Sequence, residues 1–202
     1  PARRRSHRVP RAVAGLTPDV ARILLTLLPL TGHLHPVLAL AEALERRGHE
    51  IGWAVHRNEL GDRLPAGSTL FPLDEGRVRP EPASGQVRGL DSVRLFFEDY
   101  AMPLTEQSLL PLERAVREFE PDLIAADYQM PAGALVARQC AVPWVSLVTT
   151  TASILKMSPA VHEWVAAQYM DLQRRYLPAP RVAEFPDFSP DGKLYFAYAT
   201  YT

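Results

Sequence analysis

The chain has one cysteine, Cys140, and two lysines, Lys156 and Lys193, among 202 residues. A single thiol excludes an internal disulfide and any thiolate cluster around a metal; it fits a reducing compartment, so a cytoplasmic location is expected. With lysine so scarce, no G-x-x-x-x-G-K-[ST] phosphate loop can be written. The G-x-G-x-x-G dinucleotide fingerprint is missing too, because Gly32 stands alone in the first strand-to-helix turn. There is no G-x-S-x-G elbow and no H-E-x-x-H. The longest apolar run, residues 23–30, is far short of the ~20 residues a spanning helix needs, so no membrane span is expected.

Charged residues make up an ordinary 22% of the chain, and what is small is their excess of one sign. The net charge is −1, but the first eleven residues hold five arginines and no acid, leaving the remainder at −6. A nucleic-acid surface requires a concentrated basic face, and none exists outside this tail, so no nucleic-acid partner is expected. Arg3, Arg4, Arg5, Arg8 and Arg11 precede an apolar run much as a signal peptide's basic region would. Pro10, Pro18 and Asp19 interrupt the spacer, however, and GHLHP follows in place of a small-residue cleavage site. Residues 1–20 are therefore expected to be a flexible extension and residues 21–202 a single domain.

What is present is an alternation of short apolar runs with longer amphipathic ones. Strands are expected at 23–28, 50–56, 69–73, 123–126, 144–148 and 194–199. Val37, Leu40, Ala41 and Leu44 fall at i, i+3, i+4 and i+7, and with Pro36 in the first turn and Gly48 at the C-cap they predict a helix over 36–47. Helices are also expected over 91–119, broken or kinked near Pro103 and Pro111, over 131–139 and over 161–176. Residues 74–89, rich in Pro, Gly and Arg, read as a long loop. Such alternation argues for an α/β fold with a doubly wound, Rossmann-like parallel sheet.

In such a sheet, ligands bind beyond the carboxyl ends of the strands, where the strand order reverses. With the order 3-2-1-4-5, the loop after the first strand, carrying His33 and His35, lies beside the end of the fourth strand, just before Asp127. A histidine backed by a carboxylate is an arrangement suited to a general base, because the carboxylate fixes the tautomer and stabilises the imidazolium. Spacing alone leaves open which histidine is involved, and equally a role limited to hydrogen-bonding backbone. His49 and His56 read as structural or surface residues, His162 lies on a polar helix face, and Cys140 reads as a small core residue. The group Phe96, Phe97, Tyr100 and Met102 reads either as core or as the wall of an apolar pocket.

Residues 32–50, GHLHPVLALAEALERRGHE, resemble the opening motif of GT-B glycosyltransferases that move sugars from nucleotide sugars to lipophilic acceptors: G-H-x-x-P, then L-A-x-x-L, then R-G-H-[EV]. Residues 121–147, PDLIAADYQMPAGALVARQCAVPWVSL, are similar to that family's P-D-[LV]-[LIV]-x-x-D segment, its small-residue helix and the strand that follows. The DYQMPAG portion looks closest to bacterial macrolide and carotenoid glycosyltransferases, and FSPDGKLYF at 188–196 is a weaker echo. The resemblance implies the N-terminal, acceptor-binding half of a GT-B fold. His33 would be the base that deprotonates the acceptor hydroxyl, Asp127 its partner, and His35 architectural. A single inverting displacement without metal or cofactor would follow. Phe96, Phe97, Tyr100, Met102, Gln129, Met130 and Thr150 would contact the acceptor, and loops 74–89, 96–102 and 149–159 would set the acceptor choice. The donor, a UDP- or TDP-sugar, would bind a C-terminal domain that this chain does not contain, so the chain alone is expected to be inactive. Three alternatives stand beside this: a lipid-linked sugar transferase, disfavoured because that class carries a glycine-rich loop where this chain has TGHLHP, a nucleotide-sugar epimerase on the same architecture, and a non-catalytic binding or helper module of the same fold.

Overall fold

The structure, a computed structural model, describes residues 20–74, 90–149, 159–180, 185 and 187–196. The expected extension, most of the 74–89 loop, Thr150 and residues 151–158 lie outside the described residues. Strands β1 (Arg22–Thr26), β2 (Glu50–Val55), β3 (Thr69–Pro72), β4 (Leu123–Asp127), β5 (Trp144–Val148) and β6 (Lys193–Tyr195) form one sheet. Its order is β3-β2-β1-β4-β5-β6, and every pair is parallel. The chain therefore starts in the middle, winds outward to β3, then crosses back to place β4 against the free side of β1.

Both faces of the sheet are covered, because successive strand residues point to opposite sides and nearly all of them here are apolar. On one side Ile23, Leu25, Trp53, Val55 and Ala125 pack under helix α1 (Thr31–Glu45) and the short helix α2 (Arg57–Leu60). On the other, Leu24, Ala54, Ile124, Ala126 and Trp144 pack with helices α4 (Met102–Phe119), α5 (Ala132–Cys140) and α6 (Pro159–Tyr176). Helix α3 (Leu90–Leu95) runs into α4 through a π-helical segment, Phe96–Ala101. The expected break near Pro103 is thus a wide turn just before it, one that carries Phe97 and Tyr100 inward, with Pro103 in the first turn of α4. Among the described residues no helix is long and apolar enough to cross a membrane.

Two close approaches fix how the layers meet. A Cβ on Gly133, in the first turn of α5, would come within 2.4 Å of the Ala126 Cβ and 2.9 Å of the Thr26 Cγ2. Only glycine lets α5 lie this near the ends of β4 and β1. On β2, Gly52 leaves room for the Phe119 ring, 3.0 Å from where a Cβ would stand.

Helix α1 begins five residues earlier than the sequence suggests. Leu30 is its N-cap, with its carbonyl accepting the His33 and Leu34 N–H groups at 3.0 and 3.1 Å, and Pro36 lies inside the helix. Proline there withholds one N–H from the Gly32 carbonyl, and the exposed position of Gly32 leaves that carbonyl to water. His33 and His35 are therefore helix residues, not loop residues.

Candidate active site

The buried stripe of α1 is His33, Leu34, Val37 and Ala41. At about 100° per residue, His35 stands about 200° from His33 around the helix, and it is exposed. The helix itself separates the two imidazoles, sending His33 toward the sheet.

Asp127 comes from the neighbouring strand. It is the last residue of β4, one position beyond the Thr26–Ala126 pairing with β1, and its side chain is fully buried. The sequence reading set it just past the strand; its backbone in fact pairs with Leu147 of β5, and that pairing holds it still. His33 Nδ1 lies 2.5 Å from Asp127 Oδ2. Leu28 N–H donates to the same oxygen at 3.3 Å, and Gln129 N–H donates to Oδ1 at 3.0 Å. A third side chain, missed in the sequence, joins them: Thr149, directly after β5, places its Oγ1 2.8 Å from His33 Nδ1 and 3.3 and 3.4 Å from the two Asp127 oxygens.

The tautomer follows from this inventory. An ionised carboxylate only accepts, so the short contact requires the proton on Nδ1, and the neutral ring then carries its lone pair on Nε2. Among the described residues Nε2 has no hydrogen-bond partner. Chemically, the arrangement can accept a proton at Nε2 and stabilise the resulting imidazolium through Asp127.

No protein-family model matches the chain. By sequence it is 31% identical over 114 residues to the demethyllactenocin mycarosyltransferase of Streptomyces fradiae, a match covering 54% of this chain and 24% of that protein. It is 32% identical over 96 residues to the UDP-N-acetylglucosamine–N-acetylmuramyl-(pentapeptide) pyrophosphoryl-undecaprenol N-acetylglucosamine transferase of Acidovorax sp. (strain JS42), covering 46% and 21%. By fold it superposes on the glycosyltransferase SsfS6 of Streptomyces sp. SF2575 with a TM-score of 0.59 at 18% identity, over 83% of this chain and 48% of that one. Its relatives are glycosyltransferases, and its fold is that of half a GT-B enzyme. The chain spans less than half the length of each of these proteins.

The residues expected to hold an acceptor divide into two groups. Phe97, Tyr100 and Met130 are at most 1% exposed and belong to the core, the Phe97 ring meeting Phe96 edge-to-face and the Tyr100 ring tilted against it, so they offer a ligand no surface. Of the two readings open for Phe97 and Tyr100, core or pocket wall, their burial fits the core one. Phe96 and Met102 are half-buried, Gln129 is buried beside Asp127, and Thr150 lies outside the described residues. His49 Nδ1 accepts the Ala21 N–H, a structural link as expected, and His162 Nε2 donates to the Phe185 carbonyl. His56, read as structural or surface, is buried at 2% exposure with Nε2 3.3 Å from Ser108 Oγ. A cavity of about 430 Å³ lined by Arg138, Trp144, Leu177 and Asp191 opens near the start of β5, at the amino edge of the sheet and away from His33. Among the described residues no group of three or more His, Cys, Asp or Glu side chains could hold a metal.

Proposed function

We propose that this chain is the acceptor-binding half of an inverting glycosyltransferase that moves a sugar from a nucleoside-diphosphate sugar to a hydroxyl of a lipophilic small molecule. The observation that carries the reading is the buried contact between His33 Nδ1 and Asp127 Oδ2, which leaves Nε2 as the proton acceptor at the carboxyl edge of the sheet. In the reaction, Nε2 removes the acceptor's hydroxyl proton as the oxygen attacks the anomeric carbon. The nucleoside diphosphate departs from the opposite face, which inverts the configuration, and Asp127 offsets the positive charge on the ring. The donor is held by a second domain; SsfS6, the structural neighbour, has been solved with thymidine diphosphate.

Phe96 and Met102, half-buried beside the π-helical turn, supply the apolar surface left for an acceptor. Sites of this kind pair apolar walls with a few polar groups, and a free sugar would lose its hydration against such walls without regaining its hydrogen bonds. The test is calorimetric titration of the chain with a polyketide or carotenoid-like alcohol, with a simple sugar and with UDP. Preferential binding of the alcohol is expected, with no measurable affinity for UDP because the chain has no phosphate-cradling loop. Tighter binding of the sugar or of UDP overturns the reading.

A further inference from the structure

We propose that Thr149 is a positioning residue for the His33–Asp127 pair, its hydroxyl locking the carboxylate and shielding the Nδ1 proton. The inference rests on the base role given to His33. Four donors meet the two Asp127 oxygens: Leu28 N–H, Gln129 N–H, His33 Nδ1–H and the Thr149 hydroxyl. The two backbone donors, Leu28 two residues past β1 and Gln129 in the turn after β4, reach one oxygen each. Neither of them touches the imidazole. Among the described residues, Thr149 is the side chain that hydrogen-bonds to both members of the pair, lying nearly equidistant from the two oxygens and 2.8 Å from Nδ1.

The hydroxyl has one proton and two lone pairs. Its proton goes to the carboxylate, because Asp127 has none to give; its oxygen then faces the Nδ1–H as a second acceptor. The Nδ1 proton is thereby held between Asp127 Oδ2 and Thr149 Oγ1. Water has to displace the hydroxyl to reach it, and the ring cannot turn about its Cβ–Cγ bond without giving up both acceptors. Threonine suits this place on two counts. Its β-branched side chain has a restricted χ1, and Thr149 directly follows β5, whose residue Leu147 pairs with Asp127. The hydroxyl is thus anchored to the same backbone ladder that anchors the carboxylate.

The experiment uses the whole 202-residue chain labelled with ¹⁵N-histidine, with the His33 ring signals assigned by their loss in His33→Gln. In the wild type the proton is expected on Nδ1 and its exchange with water to be slow. Thr149→Val keeps the shape and removes the hydroxyl; exchange of the Nδ1 proton should then rise by about ten-fold, the order that one hydrogen bond sets. Thr149→Ser, which retains the hydroxyl, should stay near wild type. Thr149→Ala provides the same readout as valine should the added methyl disturb folding. A role limited to packing leaves the valine variant as slow as the wild type, and that result overturns the inference, as does a serine variant that behaves like valine. Neither outcome touches the base reading. A wild-type proton found on Nε2 is the separate result that defeats the base reading, and this inference with it.

Discussion

Removing the Asp127 carboxylate tests whether that side chain organises the site, and the cost can be worked from its partners. Of the four donors it accepts, two can adapt: the Thr149 hydroxyl can rotate, and neutral His33 can move its proton to Nε2. The other two cannot. The N–H groups of Leu28, which is fully buried, and Gln129, which is 7% exposed, are fixed by the backbone and have Asp127 as acceptor. A buried donor left without a partner costs about 1–3 kcal/mol, so Asp127→Ala should destabilise the chain by about 2–6 kcal/mol. Asp127→Asn retains one acceptor oxygen but turns an NH2 toward the donors on the other side, so it should lose about half as much, about 1–3 kcal/mol. Equilibrium urea unfolding, compared at constant m-value, measures both variants. An alanine variant within about 1 kcal/mol of wild type, below the range set by two orphaned N–H groups, or an asparagine variant less stable than alanine, would refute the reasoning.

Gly133→Ala should destabilise the chain by about 1–3 kcal/mol even though alanine is the better helix former by up to ~1 kcal/mol. The new methyl meets the Ala126 Cβ on a central strand, which has no flexible end to swing aside; thermal unfolding with an unchanged or higher midpoint would show that α5 lies farther out. Burial of the Cys140 thiol, and secondarily the nearby Glu113 carboxylate, push its pKa up, with Arg117 opposing. The thiolate fraction at pH 8 is therefore smaller than for a free cysteine, and iodoacetamide should modify Cys140 more slowly than a cysteine peptide at that pH, the rates converging as pH rises; faster modification at pH 8 would contradict this.

The sheet was legible because its strands are short continuous apolar runs, as strands covered on both faces must be. The bounds of β5 agree to the residue, and those of β1 and β4 to within two. The start of α1 is obscured for a local reason: Pro36 fits the first turn of a helix, which masks the continuation of the stripe Val37, Ala41 back one turn to His33 and Leu34, with His35 on the opposite side. The stretch 57–63, a short helix and a 3-10 turn, has too few apolar residues to show a period. The π-helical turn is equally invisible, since Phe96, Phe97 and Tyr100 satisfy helical spacing whether they face core or cleft. Thr149 could not be found by pattern at all. Its partners are 22 and 116 residues away, and a threonine after a strand has no distinguishing neighbours until the sheet is folded.

The most direct measurement is the rate of sugar transfer by a two-domain enzyme carrying this chain, comparing His33→Ala with His35→Ala. Loss of the His33 imidazole should lower kcat by about 10²–10⁴-fold, the share a positioned general base supplies, with the KM for the acceptor nearly unchanged. Removing His35, exposed on the opposite side of α1, should cost far less. A His33→Ala enzyme that retains its rate, or one that outperforms His35→Ala, would contradict the assignment of His33 as the base.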